Sequence, residues 1–181
     1  DMIIYDENWY ETRDITLHLS TKVTKVDFKN KKVFAKQENE KKAKEYTYDK
    51  LVIATGSKPI IPDILGKEKP GWHQLRTIDD ADGIREHLKQ AERIVILGSG
   101  LLGLELADAF RKGPNSRDTS ILEIEEIVAP VYLDKQGSHV LLNLLERAGV
   151  KILVNTEVTE LVGEVEIEGC RLADKTIHKG D

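Results

Sequence analysis

One segment restricts the possible folds of this chain more than any other: residues 93–110, which read RIVILGSGLLGLELADAF. An apolar run of strand length is interrupted by Gly98, Gly100 and Gly103 and then resumes with helical periodicity. In a G-x-G-x-x-G loop between a strand and a helix, the first glycine permits a tight turn and the second lets the backbone approach a pyrophosphate. The third lets the helix pack closely on the strand. The free N–H groups at the start of the helix also favour a diphosphate, so the segment predicts a dinucleotide-binding α/β domain.

An acidic residue in the next predicted strand, residues 120–124, supports this prediction. Glu123 lies 20 residues past Gly103, where a carboxylate can accept hydrogen bonds from the adenine ribose. No lysine or arginine occurs from residue 119 to residue 134 to bind a 2′-phosphate. The pattern therefore predicts NADH rather than NADPH. The alternative interpretation is a purely structural turn with Glu123 in solvent.

The elements around this segment predict a parallel sheet with helices on its faces. The order is a strand at 93–97, a helix at 101–112 ended by Gly113-Pro114, a strand at 120–124 and a helix from Asp134 to Gly149, followed by another strand. A further helix is predicted from Asp79 or Asp80 to about Gln90. Prolines and glycines are densest in residues 57–71, which indicates a linker and predicts domains at 1–58 and 59–181.

An internal repeat indicates two related folds. Residues 17–26, LHLSTKVTKV, match residues 152–161, ILVNTEVTEL, in pattern. After the first copy come a lysine-rich hairpin and a predicted short buried strand at 51–54, whereas the second copy has a hairpin but no such strand before residue 181. We therefore expect part of one nucleotide-binding fold followed by a second that lacks its last strand.

Composition and charge argue against several other function classes. The formal net charge is −5, and 27 basic residues are interspersed with 32 acidic ones, which argues against nucleic-acid binding. No apolar run reaches the roughly 18–20 residues of a membrane helix. The five histidines have no metal-ligand spacing, so no metal site is expected. Cys170 is the single cysteine, which excludes an intrachain disulfide and favours a reducing, cytoplasmic location.

Four segments together resemble the FAD-dependent pyridine nucleotide-disulfide oxidoreductase superfamily. They are YDKLVIATGSKP (48–59), LRTIDDAD (75–82), RIVILGSGLLGLELA (93–107) and residues 133–158. The last two are most similar to the flavoproteins of NADH-dependent nitrite reductases and to NADH-rubredoxin or ferredoxin reductases. The resemblance implies an FAD domain into which an NADH domain is inserted, both Rossmann-like, which accounts for the repeat.

The resemblance also implies two sets of cofactor-binding residues. The residues expected at NADH are Gly98, Gly100, Leu101, Leu102, Gly103, Glu105 and Glu123, and those expected at FAD are Val23, Ala54, Thr55, Gly56 and Arg76. Glu105 is expected near the nicotinamide by resemblance, although a surface carboxylate in the first helical turn that interacts with the helix dipole explains it equally well. The family's N-terminal glycine loop and distal G-D motif for FAD are absent from these residues, so the chain alone should bind FAD poorly.

The function implied is the central part of an FAD-dependent NADH oxidoreductase. Hydride would pass from NADH to FAD, and electrons would then reach a nitrite reductase centre, rubredoxin or a ferredoxin-like carrier. One alternative is a cysteine-dependent disulfide reductase or NADH oxidase, whose redox cysteine would lie upstream of residue 1. Another is a dinucleotide-binding module without turnover. The acceptor and the oligomeric state are left open.

Overall fold

The computed structural model of the chain describes residues 4–112 and 117–181. These form two compact units, Asp1–Gly56 and Ser57–Asp181. The boundary predicted from the sequence lies after residue 58, close to this division. The proposed helix end at Gly113-Pro114 lies outside the described residues.

The first unit consists of a short helix and a three-stranded antiparallel sheet. Helix α1 (Glu7–Glu11) begins after Asp6, whose side chain accepts a hydrogen bond from the Trp9 backbone N–H. Strands β1 (Thr21–Asp27), β2 (Lys32–Gln37) and β3 (Lys44–Thr47) pair in that order. The alternating residues on either side of the lysine-rich turn thus form a hairpin, as their period of two predicts.

The predicted buried strand at residues 51–54 is wrong for this structure. These residues have no regular structure, and the side chains of Val52 and Ile53 are 86% and 63% exposed. A strand needs a neighbour to accept and donate its backbone hydrogen bonds. The described sheet of the first unit contains β1, β2 and β3, and none of them pairs with residues 51–54.

The second unit begins with a linker and a helix whose first residue is set by a capping box. Residues 57–64 have no regular structure, and helix α2 spans Ile78–His87. The Thr77 hydroxyl accepts a hydrogen bond from Asp80 N (3.1 Å), and the Asp80 carboxylate accepts one from Thr77 N (2.7 Å). The helix therefore begins after Thr77 and not at Asp79 or Asp80 as predicted, and the T-x-x-D spacing is the signal that indicates Thr77.

A parallel three-stranded sheet follows, in the predicted order of strands and helices. Strands β4 (Arg93–Leu97), β5 (Asp118–Leu122) and β6 (Lys151–Leu153) alternate with helices α3 (Leu101–Lys112) and α4 (Lys135–Arg147). β5 begins and ends two residues before the predicted strand, so Glu123 follows the strand instead of lying in it. Ala107 of α3 packs with Ile121 and Val150 in one buried cluster, which fixes the helix on the sheet.

An antiparallel sheet of β7 (Val158–Val162), β8 (Gly169–Leu172) and β9 (Ile177–Lys179) completes the described part of this unit. Leu161 and Cys170 from this sheet pack with Leu122 of β5 and with Ile64 of the linker in a second buried cluster. The two clusters lie on the two sides of β5, since Ile121 belongs to one and Leu122 to the other. Together they hold the end of β5, and so Glu123, in place.

The internal repeat is reproduced in backbone geometry. Ser20 and Asn155, at equivalent positions, both have positive φ angles of 49° and 51°. The next residues, Thr21 and Thr156, each donate a hydroxyl hydrogen bond to the carbonyl two residues earlier, at 2.8 and 2.9 Å. A register shift then occurs at the same place in both copies, between residues 23 and 25 of β1 and between 158 and 160 of β7.

The copies differ in the strand before this turn. Residues 151–153 form β6, whereas the equivalent residues 16–18 have no regular structure. β6 pairs in parallel with β5, and no described strand of the first unit offers a comparable partner to residues 16–18. The two copies therefore differ because only one of them has a strand to pair with, and sequence similarity does not specify strand pairing.

Helix α4 provides a simple test of local stability. Asp134 is its N-cap, as predicted, and its carboxylate accepts a hydrogen bond from Gly137 N at 2.8 Å. We expect Asp134→Ala to lower the free energy of unfolding by about 1 kcal/mol because one N-terminal N–H loses its acceptor. Urea denaturation of this variant beside Glu146→Ala, an exposed substitution in the same helix, measures the effect. Equal losses in the two variants would contradict the capping role.

Two apolar residues of α4 lie at the surface. Val140 and Leu144 are 60% and 57% exposed, whereas Leu145 packs on the cluster around Ile121.

Among the described residues, no helix is long and apolar enough to span a membrane.

Candidate functional site

The glycine loop joins β4 to α3 in a tight turn. Gly98 has a φ of 100°, in the left-handed region that favours glycine, and its N–H donates to Leu122 O at 2.8 Å. This bond extends the pairing of β4 with β5 by one residue and then the chain turns away. α3 begins three residues later, at Leu101.

Gly103 allows α3 to lie directly on the loop. A Cβ atom at this position would overlap the carbonyl oxygen of Gly98 and would lie 3.3 Å from Ile96 Cγ2. The obstacle is backbone, so it cannot move aside as a flexible side chain could. A side chain at residue 103 is therefore incompatible with the observed contact between helix and strand.

Gly100 faces open space at the start of α3. A Cβ atom built there would meet no described atom within 4 Å. The neighbouring Leu101 and Leu102 are 53% and 49% exposed. The backbone N–H groups of this first helical turn carry the positive end of the helix dipole, so this opening suits an anionic group that comes close to the backbone.

Glu123 is buried and bonded within the protein. Only 5% of the residue is exposed, and its Oε2 accepts hydrogen bonds from Ser99 N (2.7 Å) and Ser99 Oγ (2.5 Å). Its Oε1 accepts one from Glu125 N at 3.0 Å. Burial raises the pKa of Glu123, but the hydrogen bonds from Glu125 and Ser99 together lower it by more. The pKa therefore lies below the usual value of a glutamate. Glu123 is therefore an anion held in one orientation next to the glycine loop.

Ser99 is a part of this site that the sequence analysis did not identify. The residue has no exposed surface, and besides donating to Glu123 its Oγ accepts a hydrogen bond from Ala129 N at 3.0 Å. A second buried serine, Ser138 of α4, accepts one from Val128 N at 2.7 Å. Both serines thus anchor the segment that follows Glu123. A polar residue between two glycines was the available signal, and it was weak because loops commonly contain serine.

Glu105 is exposed and lies in the second turn of α3. The expectation that this carboxylate lies in the first helical turn is therefore wrong.

Arg76 is also exposed. Its Nε donates to Ser57 O at 3.2 Å, and its backbone N–H donates to Asp80 Oδ2 at 3.0 Å.

The residues expected at FAD in the first unit are accessible. Val23 of β1 is 50% exposed, and Ala54, Thr55 and Gly56 are exposed in irregular chain. Gly56 has a φ of 75° and is the only glycine among residues 1–56. No glycine loop that could hold a diphosphate therefore occurs in these residues.

A cavity of about 730 Å³ runs along β4 to the glycine loop. Its walls are mainly apolar and include Ile84 of α2, Leu102 and Leu106 of α3, and Cys170 of β8. Burial raises the pKa of the Cys170 thiol to about 11, so this cysteine is an unreactive part of the wall. Within the described residues, no cluster of three histidine, cysteine or acidic side chains could hold a metal ion.

Comparison with known proteins identifies the family. The family model described as pyridine nucleotide-disulphide oxidoreductase matches residues 8–181. The chain belongs to this family. The resemblance found in the sequence is thereby confirmed, and with it an oxidoreductase family whose members use FAD with NADH or NADPH.

Individual members of the pyridine nucleotide-disulphide oxidoreductase family match nearly the whole chain. The NAD(P)H nitrite reductase of Bacillus subtilis (strain 168) is 33% identical over 181 residues, which is 100% of this chain and 22% of that protein. The rubredoxin-NAD(+) reductase of Pseudomonas putida is 31% identical over 157 residues, 87% of this chain and 39% of the relative. Among solved structures, an NAD-dependent persulfide reductase from A. fulgidus has a TM-score of 0.83 and 29% identity, covering 99% of this chain and 33% of that one. The chain thus spans well under half of the length of these proteins.

Proposed function

We propose that this chain is the NADH-binding part of an FAD-dependent oxidoreductase that passes hydride from NADH to FAD and electrons on to an acceptor. The observation that carries the proposal is the glycine loop, with its open face at Gly100 and a helix N-terminus directly behind it. FAD, when bound, supplies the hydride acceptor, and the protein supplies binding and orientation.

The fit between the loop and a dinucleotide depends on all three glycines. Gly98 makes the turn, Gly103 permits the close approach of α3, and Gly100 leaves the space in which a diphosphate can reach backbone N–H groups. Leu101 and Leu102, exposed at the same helix end, would border the dinucleotide. Glu105, one turn further along α3, would lie toward the nicotinamide.

Charge near the end of β5 favours NADH over NADPH. Glu123 is held as an anion, and its repulsion of a 2′-phosphate would oppose NADPH, whereas ribose hydroxyls can donate to it. Residues 119–134 contain no lysine or arginine, and Lys135 is the first basic residue after them. Its Nζ forms an ion pair with Glu126 Oε1 at 2.6 Å. Its charge is therefore partly neutralised.

For FAD, the chain supplies only part of a site. Val23, Ala54, Thr55 and Gly56 of the first unit are accessible for contact, and Arg76 is accessible in the second. The diphosphate of FAD needs a loop of the kind seen at Gly98–Gly103, and residues 1–56 contain none. We therefore expect weak FAD binding by this chain alone.

The described parallel sheet has β4 at one edge. The apolar cavity lies along this strand. At this edge Asp181 N donates a hydrogen bond to Arg93 O at 2.9 Å.

The names of the relatives bear on the acceptor. They include a nitrite reductase, a rubredoxin reductase and a persulfide reductase, which supports electron transfer to a protein-bound centre or carrier, or to a sulfur compound. In the last case the redox cysteine would have to lie outside these residues, because Cys170 is buried and unreactive. The acceptor and the cytoplasmic location stay predictions.

Titration with nucleotides tests the proposal directly. We expect NAD⁺ to bind the protein with at least several-fold higher affinity than NADP⁺ in isothermal titration calorimetry, because the 2′-phosphate meets the Glu123 carboxylate. AMP, which lacks the diphosphate, serves as the control ligand and should bind more weakly than either. Equal affinities for NAD⁺ and NADP⁺ would contradict the role of Glu123, and absence of flavin absorbance from the full-length protein would contradict the flavoenzyme.

A further inference from the structure

Ser99 is a buried residue of the glycine loop that contacts Glu123 directly. It lies between the two glycines at which the chain turns, and none of its surface is exposed. Its backbone N–H and its hydroxyl both point to the same oxygen, Glu123 Oε2, at 2.7 and 2.5 Å. The loop that is proposed to bind the diphosphate and the carboxylate that is proposed to bind the ribose are therefore joined through one residue.

These bonds determine which part of the carboxylate remains available. A carboxylate oxygen has two lone pairs that can accept hydrogen bonds. Both donors on Oε2 come from Ser99, so that oxygen is fully engaged within the protein. Oε1 accepts a hydrogen bond from Glu125 N at 3.0 Å and is the oxygen that Ser99 leaves unbound.

The Ser99 hydroxyl also fixes the segment beyond Glu123. Ala129 N donates to Ser99 Oγ at 3.0 Å, and Ala129 is held at a φ of 53°, an uncommon value for a residue with a side chain. The hydroxyl thus accepts from one end of the segment while it donates to the other end, at Glu123. Ser138 anchors the same segment through Val128 but has no hydrogen bond to Glu123.

We propose that Ser99 is a positioning residue for nucleotide specificity: it holds Glu123 Oε2 inside the protein and so presents Oε1 to the adenine ribose. This inference rests on the proposed binding of NADH at the glycine loop. Without the hydroxyl, the carboxylate keeps the bonds from the backbone N–H groups of residue 99 and Glu125 but loses its shortest contact, so it can rotate more freely. A carboxylate that can rotate binds ribose hydroxyls less well, which weakens the binding of NADH. It can also turn away from a 2′-phosphate, which weakens the repulsion of NADPH. Both effects reduce the preference for NADH over NADPH.

The experiment compares ADP with 2′-phospho-ADP (adenosine 2′-monophosphate 5′-diphosphate), which differ only in the 2′-phosphate and need no flavin. Dissociation constants for both are measured by calorimetry on the wild-type protein, Ser99→Ala, Ser99→Cys and Ser138→Ala. Ser138→Ala is the matched control, because it also removes a buried hydroxyl that anchors the segment after Glu123. Ser99→Cys keeps the size of the side chain with a weaker donor, and it provides the measurement if Ser99→Ala does not fold.

We expect Ser99→Ala to weaken ADP binding about tenfold and to reduce the ratio of the two dissociation constants by a similar factor. Ser99→Cys should give a smaller reduction, and Ser138→Ala should leave the ratio within about twofold of wild type. The inference is overturned if the Ser99 variants keep the wild-type ratio, or if Ser138→Ala reduces it equally, since the role would then be structural support of the segment. Absence of ADP binding to the wild-type protein would instead overturn the proposed function, and the inference with it.

Discussion

Gly103→Ala is expected to destabilise the second unit and to abolish nucleotide binding. The new Cβ atom would overlap the Gly98 carbonyl oxygen and press on Ile96, so α3 must move away from β4. Overpacking of this kind costs about 1–3 kcal/mol of unfolding free energy, and displacement of the helix also moves the N–H groups that face the diphosphate. Thermal denaturation followed by circular dichroism measures the first effect, and calorimetry with NAD⁺ measures the second.

Gly100→Ala is the matched control because it makes the same chemical change three residues earlier. Its Cβ would meet nothing within 4 Å, and Gly100 is not among the glycines with positive φ. We expect a change in stability of no more than about 0.5 kcal/mol. NAD⁺ binding should nevertheless weaken at least about tenfold, because the methyl group fills space next to the phosphate-binding backbone. A Gly103 variant as stable as Gly100→Ala would contradict the close packing, and unchanged binding by Gly100→Ala would contradict the placement of the diphosphate.

Glu123→Gln is expected to lower the free energy of unfolding by about 3 kcal/mol and to remove part of the dependence of that free energy on pH. Both carboxylate oxygens accept hydrogen bonds, so an amide nitrogen on either side would face at least one donor, and hydrogen bonds to a charged acceptor contribute about 1.5–3 kcal/mol each. The pKa of Glu123 is lowered in the folded protein. Its stabilising contribution is therefore complete above the usual pKa of a glutamate and is lost as the pH falls through the lower, folded-state pKa.

Urea denaturation between about pH 3 and pH 7 measures this difference. The wild-type protein should lose stability toward the acid end, and part of that loss should be absent in Glu123→Gln. Glu126→Gln is the control, because Glu126 is exposed and its ion pair with Lys135 lies at the surface. Such pairs contribute about 0–1 kcal/mol, so Glu126→Gln should retain the wild-type profile. If the two variants behave alike, Glu123 is not the internal acceptor described above.

The sequence predicted the three glycines of the loop, but of Glu123 it predicted the position along the chain and not the contacts inside the protein. The roles of Gly98 and Gly103 follow from short-range geometry, since a tight turn and a helix packed on its own preceding strand involve neighbouring residues. The position of Glu123 at the end of a strand was also predictable. Its engagement with Ser99 was not, because that contact joins residues 24 positions apart and depends on the pairing of β4 with β5.

The errors in the fold have a similar origin. Leu51–Ala54 has the composition of a buried strand, but strand formation depends on a partner, and composition does not specify one. Val140 and Leu144 of α4 lie at the surface, whereas Leu145 packs on the cluster around Ile121, and the helical period does not by itself separate these positions.

By itself, the sequence determined the order of strands and helices in the second unit, the glycine loop, the cap of α4 and the internal repeat. Each of these depends on residues close together in the chain, such as the hydroxyls of Thr21 and Thr156, which bond two residues back in both copies. The tertiary structure alone decided which apolar segments pair as strands and how the Glu123 carboxylate is held. Pairing and burial bring together groups far apart in the chain, and the free energy of a buried charge depends on the donors that fold around it.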